Sequence, residues 1–307
     1  MRIVSLLPAA TEISFALGLG DDVVGVSPEC DFPEAARTLP VMSRALVATE
    51  GRTPSETSRI VGERLGSGLS IYEVDEKSLR EASPDLILTQ GLCDVCAPTA
   101  DDVRAVAERL PDPPDILSLD PHRLEDVLGD IRRVARITGT EEAAETLVAS
   151  LRGRLDAVAA RATAIVRQPR VLCLEWLDPP FAAGHWVPEM VEIARGEDVF
   201  GRPGEKSHRL DDQAIAIAAP DVLVLMPCGY HMDRTRKEAH VVREKGYWRD
   251  LPAVRRDRVW LVDGSSYFSR PGPRLVAGLE ILAHILHPEL FPPFRNSADA
   301  QRWVGPW

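Results

Sequence analysis

Short apolar runs, each ended by a Pro- or Gly-containing loop, alternate with helix-like stretches along this chain, and the alternation lapses once, in the middle. In the first half the runs are RIVSLL (2–7), VVGVS (23–27), DLILT (85–89) and DILSL (115–119). In the second they are RVLCLEW (170–176), DVLVLM (221–226) and RVWLVD (258–263). Their length and β-branched content predict strands. Between them, helices are predicted after Pro8 with Gly18 and Gly20 ending it, and over 54–65 before Gly66-Ser67-Gly68. Another runs from Thr99 to about Leu110, with Asp101 and Asp102 in its first turn, where carboxylates suit the helix dipole. Further helices are expected over 187–194, from Asp211-Asp212 to Pro220, and over 274–286. Strands alternating with helices argue for α/β architecture with parallel sheets covered on both faces.

The lapse covers 122–166. Leu124, Val127, Leu128, Ile131, Val134, Ala135 and Thr138 keep helical spacing, and the period resumes after Gly139. This predicts one long helix kinked at Gly139, or two abutting ones. The halves on either side also resemble each other: RIVSL…ALGLGDDVVGVS parallels RVLCLE…IARGEDVFG, and SPDLILTQG parallels APDVLVLMPCG. The expected organisation is an N-terminal α/β lobe over 1–120, a long linking helix over 121–167, a C-terminal α/β lobe over 168–290, and a tail over 291–307 packed on the surface.

Hydrophobic residues make up 45% of the 307, enough for a sizeable core. Lys plus Arg number 36 against 47 Asp plus Glu, a net charge of −11 that argues against nucleic-acid binding. The richest apolar stretch, Ala214 to Met226, is broken by Pro220 and Asp221, so no membrane span is expected. Pro8 and Glu12 interrupt the apolar run that opens with MRIVSLLPAA, and its residues 2–7 read as a first strand and not as a signal peptide. The expected location is the cytoplasm, or the periplasm or cell exterior if an export signal has been removed. Five cysteines form no even disulfide framework.

Ligands of open α/β sheets sit beyond the C-terminal ends of the strands. The loops there carry Glu29, Cys30, Asp31 and Phe32; Gln90, Cys93 and Cys96; Trp176, Phe181, His185 and Trp186; Cys228, Tyr230 and His231; and Tyr267, Phe268 and Arg270. Only 6% of the chain is Phe, Trp or Tyr, so aromatics gathered in loops point to a site for a large, flat, partly apolar ligand. The competing reading is that the rings anchor their loops. Cys93-Asp-Val-Cys96 is a CxxC that with Cys30 offers thiols to a soft metal centre, a redox pair, or thiols packed inward. GxSxG, P-loop, HExxH and strand-following GxGxxG signatures are absent. Glu175 is one carboxylate at a strand end, thin evidence for a general acid. The stretch Arg234 to Arg258, basic with interleaved acids, reads as a solvated face.

The ordered set RIVSLLPAATEISFALGLGDDVVGVS, SPDLILTQ, DPPFAAG, ARGEDVF and YFSRPGPR resembles the helical-backbone substrate-binding proteins of ABC importers, above all their cobalamin- and iron-complex-binding members. The resemblance spans about residues 2–287. It implies two Rossmann-like lobes joined by a long backbone helix, with a ligand cleft between them. It favours Phe181, Tyr267 and Phe268 as ligand contacts. It also implies an ABC permease partner, docked through acids near Asp101-Asp102 and Asp211-Asp212, and a monomeric protein. The cysteine-bearing ECDFP and LCDVCA loops and the Trp186 of HWVPEM depart from the family pattern. The function expected is non-catalytic binding of cobalamin or a similar tetrapyrrole or metal complex, with no cofactor beyond that ligand. The protein would serve an ABC-type uptake system or be a cytoplasmic relative of such proteins. The alternatives are a cytoplasmic enzyme or redox protein using Cys93 and Cys96, and a siderophore or metal-ion receptor.

Overall fold

A computed structural model describes residues 1–49, 51–91, 97–294, 296 and 298–304. The chain divides into two compact units, the first holding residues 1–52, 56–121 and 125–149 and the second 53–55, 122–124 and 150–307.

The first unit begins with β1 (Ile3–Ser5), α1 (Pro8–Ala16) and β2 (Val23–Val26). Pro8 starts α1, where its missing N–H costs nothing. β3 (Ser43–Ala45), α2 (Pro54–Gly66), β4 (Tyr72–Val74) and α3 (Glu76–Ala82) follow. Then come β5 (Leu86–Thr89), α4 (Ala100–Ala107) and β6 (Asp115–Ser118). The main sheet has the order β2-β1-β5-β6, all parallel. Val4, Leu6 and Ile87 pack on one of its faces against Leu79, Val103 and Ala107 of α3 and α4. β3 and β4 pair antiparallel, an element missed in the sequence because three-residue strands carry almost no periodicity. Thr99 caps α4 as expected, its hydroxyl accepting from the Asp102 N–H at 3.1 Å.

The middle stretch forms two helices, α5 (Leu124–Thr138) and α6 (Glu141–Ala162). Gly139 takes φ +70°, a left-handed conformation that ends α5. The side chains that keep helical spacing, Val127 to Ala135, are at most 3% exposed. Arg132 bridges the turn to Glu145 at 2.7 and 3.0 Å. The division between the units falls within α6, after Ala149.

The second unit continues with β7 (Arg170–Leu177), β8 (Pro180–Ala182), α7 (Val187–Ile193), β9 (Glu197–Asp198), β10 (His208–Arg209), α8 (Asp212–Ala218) and β11 (Val222–Leu225). α9 (Met232–Glu238), α10 (His240–Arg243), α11 (Pro252–Arg255), β12 (Val259–Val262), α12 (Gly264–Tyr267), α13 (Leu275–Leu286) and β13 (Ala300–Arg302) complete it. β7, β11 and β12 are parallel neighbours, while β8, β10 and β13 pair antiparallel on the flanks. Leu172, Leu174, Leu223, Leu225, Val259 and Leu261 share one core cluster.

Two expectations about this unit are corrected. The stretch 234–258 is more than a solvated face: Val242, Trp248, Leu251 and Val254 are buried in that cluster, and Glu238 is buried as well. The tail does more than lie on the surface, since Ala300–Arg302 pairs with Trp260–Val262 and adds a strand to the sheet.

Candidate functional site

In the first unit the loop after β2 places Glu29 and Asp31 half-buried and Phe32 at 44% exposure. Glu29 accepts a hydrogen bond from the Tyr72 hydroxyl at 3.4 Å, and Asp31 lies 4.0 Å from the Arg37 guanidinium. Gln90 is buried at the end of β5. Cys30 points inward. It is 3% exposed, its sulfur accepts from the Thr11 hydroxyl at 3.0 Å, and the Ser27 hydroxyl is 3.2 Å away. A thiol held by two hydroxyls beneath a strand end is a packing element, so the expectation that Cys30 faces a ligand or a soft metal is corrected. Cys93 and Cys96 lie outside the described residues. Among the described residues no group of three or more His, Cys, Asp or Glu is placed to hold a metal ion.

In the second unit, β7 delivers Glu175 and Trp176 to the strand end, and the tight return through Asp178-Pro179 sets Phe181 directly across from Trp176. Residues directly opposite in an antiparallel pair share a sheet face, so Trp176 and Phe181 form one half-buried aromatic surface. Tyr230, after β11, meets Trp176 edge-on at 5.3 Å, and the Arg234 guanidinium sits 3.9 Å from the centre of the Tyr230 ring. The Trp176 indole N–H donates to the carbonyls of Asp178 and Pro54, which fixes the ring plane. Glu175 lies behind this surface. Burial pushes its carboxyl above the usual range, opposed by bonds from the Ser207 hydroxyl and the Gly184 N–H. Cys228 is half-buried, its N–H donating to the Glu175 carbonyl at 2.9 Å.

His185 takes φ +54° and lies between two rings, Trp186 at 5.5 Å and His122 at 5.8 Å. Burial first, then His122 and Lys206, lowers its pKa, so it is neutral at pH 7, and its Nε2 has no hydrogen-bond partner among the described residues. Trp186 and Phe268 have the loop-anchor geometry. They are 4% and 2% exposed, and the Trp186 indole N–H donates to the Phe268 carbonyl at 2.8 Å. Tyr267 is half-buried, its hydroxyl donating to Asp299 at 2.9 Å, and Arg270 is buried in the same loop. His231 pairs with Asp263 at 3.0 Å.

His122 and Ser207 escaped the sequence reading. His122 was legible by the same rule as the others, since it follows a strand end within DPHRL. Ser207 was not, because only the fold brings it to Glu175. Of the four helix-start acids, Asp211 caps α8 by accepting from the Gln213 N–H at 2.8 Å, and Asp102 accepts from the Thr99 hydroxyl at 2.8 Å. Asp101, paired with Arg104 at 2.8 Å, and Asp212 stay exposed.

Aromatic and polar groups thus gather at the carboxyl ends of parallel strands in each unit, and the sequence profile of one family, described as periplasmic binding protein, matches residues 3–265. The chain belongs to the periplasmic binding protein family. An uncharacterised ABC transporter substrate-binding lipoprotein, YvrC of Bacillus subtilis, is 25% identical over 296 residues, 94% of this chain and 81% of that protein. A vitamin B12-binding protein of Vibrio cholerae is 23% identical over 286 residues, 91% of this chain and 86% of that protein. A periplasmic heme binding protein from Pseudomonas aeruginosa shares the fold, with a TM-score of 0.73 at 18% identity and 99% of both chains covered. The family is the one that the sequence motifs resemble, and the α/β architecture expected for it is observed. No helix among the described residues is long and apolar enough to cross a membrane.

Proposed function

We propose that this chain is a non-catalytic binding protein for cobalamin or a similar tetrapyrrole or metal complex, working with an ABC-type permease. The observation that carries the reading is the Trp176–Phe181 surface with Tyr230 edge-on, at the strand ends of a periplasmic binding protein. Two half-buried rings fixed on one sheet face offer a flat ligand a stacking platform with little side-chain entropy left to lose. The vitamin B12-binding and heme-binding relatives support this ligand class. The proposed contacts are Glu29, Asp31, Phe32, Gln90, Trp176, Phe181, His185, Cys228, Tyr267 and Arg270, with Trp186 and Phe268 holding the loop behind them. Exposed Asp101 and Asp212 are the proposed docking charges toward permease arginines. The protein acts as a monomer on a diffusible small molecule.

Titrating the protein with cyanocobalamin, hemin and a ferric hydroxamate, read by absorbance and tryptophan fluorescence, tests this. One saturable 1:1 isotherm, weakened about tenfold by Trp176→Ala or Phe181→Ala, is expected if each ring contributes about 0.5–1.5 kcal/mol of stacking beyond area burial. No saturable binding of any of the three overturns the ligand class.

A further inference from the structure

At the opposite end of the second unit's sheet lies a cavity of about 520 Å³. Pro169, Asp221 and Arg258, which immediately precede β7, β11 and β12, line it, so it opens where the parallel strands begin. The ligand loops described above leave from the other ends of the same strands. In a chain of net charge −11, this cavity is lined by four arginines, Arg167, Arg256, Arg258 and Arg302, against two acids, Asp221 and Glu289.

Two of the four arginines are held by main-chain oxygen. Arg258 donates to the carbonyls of Ile285 (3.4 Å) and Leu286 (2.9 Å) at the end of α13. Arg302 donates to the carbonyls of Asp257 and Arg256. A carbonyl fixes the guanidinium plane but leaves its net charge in place, whereas a carboxylate cancels it. Arg256 pairs with a carboxylate, Asp221, at 2.7 Å. Glu289 leans outward, 67% exposed, 3.8 Å from His287. Arg167 has no hydrogen-bond or ion-pair partner among the described residues and is exposed. Burial makes the charged form of Arg258 less favourable than usual; Asp221 and Glu289 favour that form, Arg302 and Arg256 oppose it, and a bound anion would offset the cost of burial. Trp260 forms one wall, set edge-on by His284 at 6.4 Å and Phe294 at 6.1 Å. A volume of this size admits a compact metabolite and leaves much of a cofactor outside.

We propose that this cavity is a second ligand site, for a small multivalent oxyanion carrying two or more phosphate or carboxylate charges. Guanidinium forks match such groups, and the four arginines of the lining outnumber its two acids.

Calorimetric titration with pyrophosphate and, separately, citrate, at fixed ionic strength with chloride as background, tests the site. Saturable 1:1 binding of either probe is expected, and the stronger one tells phosphate from carboxylate. Arg167→Glu should weaken it at least about tenfold, as loss of a charge-assisted contact plus a repulsive charge requires. Because Arg167 is exposed and unpartnered, that variant should melt at the wild-type temperature, and cyanocobalamin binding should not change. Arg302→Gln should weaken the anion in the same direction. Heat that does not saturate, or binding that both variants leave intact, would overturn the proposal whatever the outcome at the other end of the sheet.

Discussion

Asp130 is a buried carboxylate, 4% exposed on α5; Arg133 donates to one of its oxygens at 2.7 Å, and among the described residues the other oxygen has no hydrogen-bond partner. Desolvation outweighs Arg133 and pushes its pKa up to about 6. An unfolded aspartate titrates near about 3.9, so the folded protein holds this proton more tightly than the unfolded chain does. Stability from this group is therefore greatest below about pH 4 and is lost as pH rises from about 4 to 6, by up to about 3 kcal/mol. Asp130→Asn should flatten urea-derived stability across that window and exceed the wild type at pH 7; an unchanged slope would show that the carboxylate is better solvated. Trp186→Ala should cost about 3–5 kcal/mol of stability, because the ring is buried and its N–H bonded, a loss seen in thermal melting before any ligand is added. Cys30 and Cys173 are both buried, so in a variant lacking the other three cysteines thiol labelling should wait for denaturant.

At the scale of elements, α13 packs so closely under the proposed ligand loop that Gly278 admits no side chain. A Cβ there would collide with the Tyr267 carbonyl. Gly278→Ala should displace the Tyr267–Phe268 loop and weaken ligand binding along with stability, read as a joint drop in affinity and melting temperature. Gly139→Ala acts differently. It meets open space but must hold φ +70°, which costs about 1 kcal/mol and leaves affinity alone. The central strands and the caps at Thr99 and Asp211 were legible in the sequence because each is encoded within a few residues. β8, β10 and β13 were not, since two- or three-residue strands exist only through the partners they pair with.

For the whole molecule, the C-terminal residues complete the second sheet: β13 lies along β12, and Trp303 packs 5.6 Å from Trp248, the largest fully buried side chain. Deleting residues 298–307 should lower the melting temperature by several degrees, at about 2–4 °C per kcal/mol for a unit of this size, and shift tryptophan emission. The sequence alone determined the α/β class, the helical middle with its break at Gly139, the family, and the loops that gather aromatic and polar groups. All of these rest on local pattern: apolar period, caps, and strand ends that must carry loops. Only the tertiary structure decided which of those loop residues are surface and which are anchors. Trp176 and Trp186 stand ten positions apart on either side of one turn, yet one ring lies half-open beside Phe181 and the other is sealed against Phe268. The difference comes from partners more than eighty residues away, and burial is a property of what packs against a residue, which its own neighbours in sequence do not encode. The arginine-lined cavity has the same origin, since Arg167, Arg258 and Arg302 meet only because the strands that carry or follow them begin and end at one edge of one sheet.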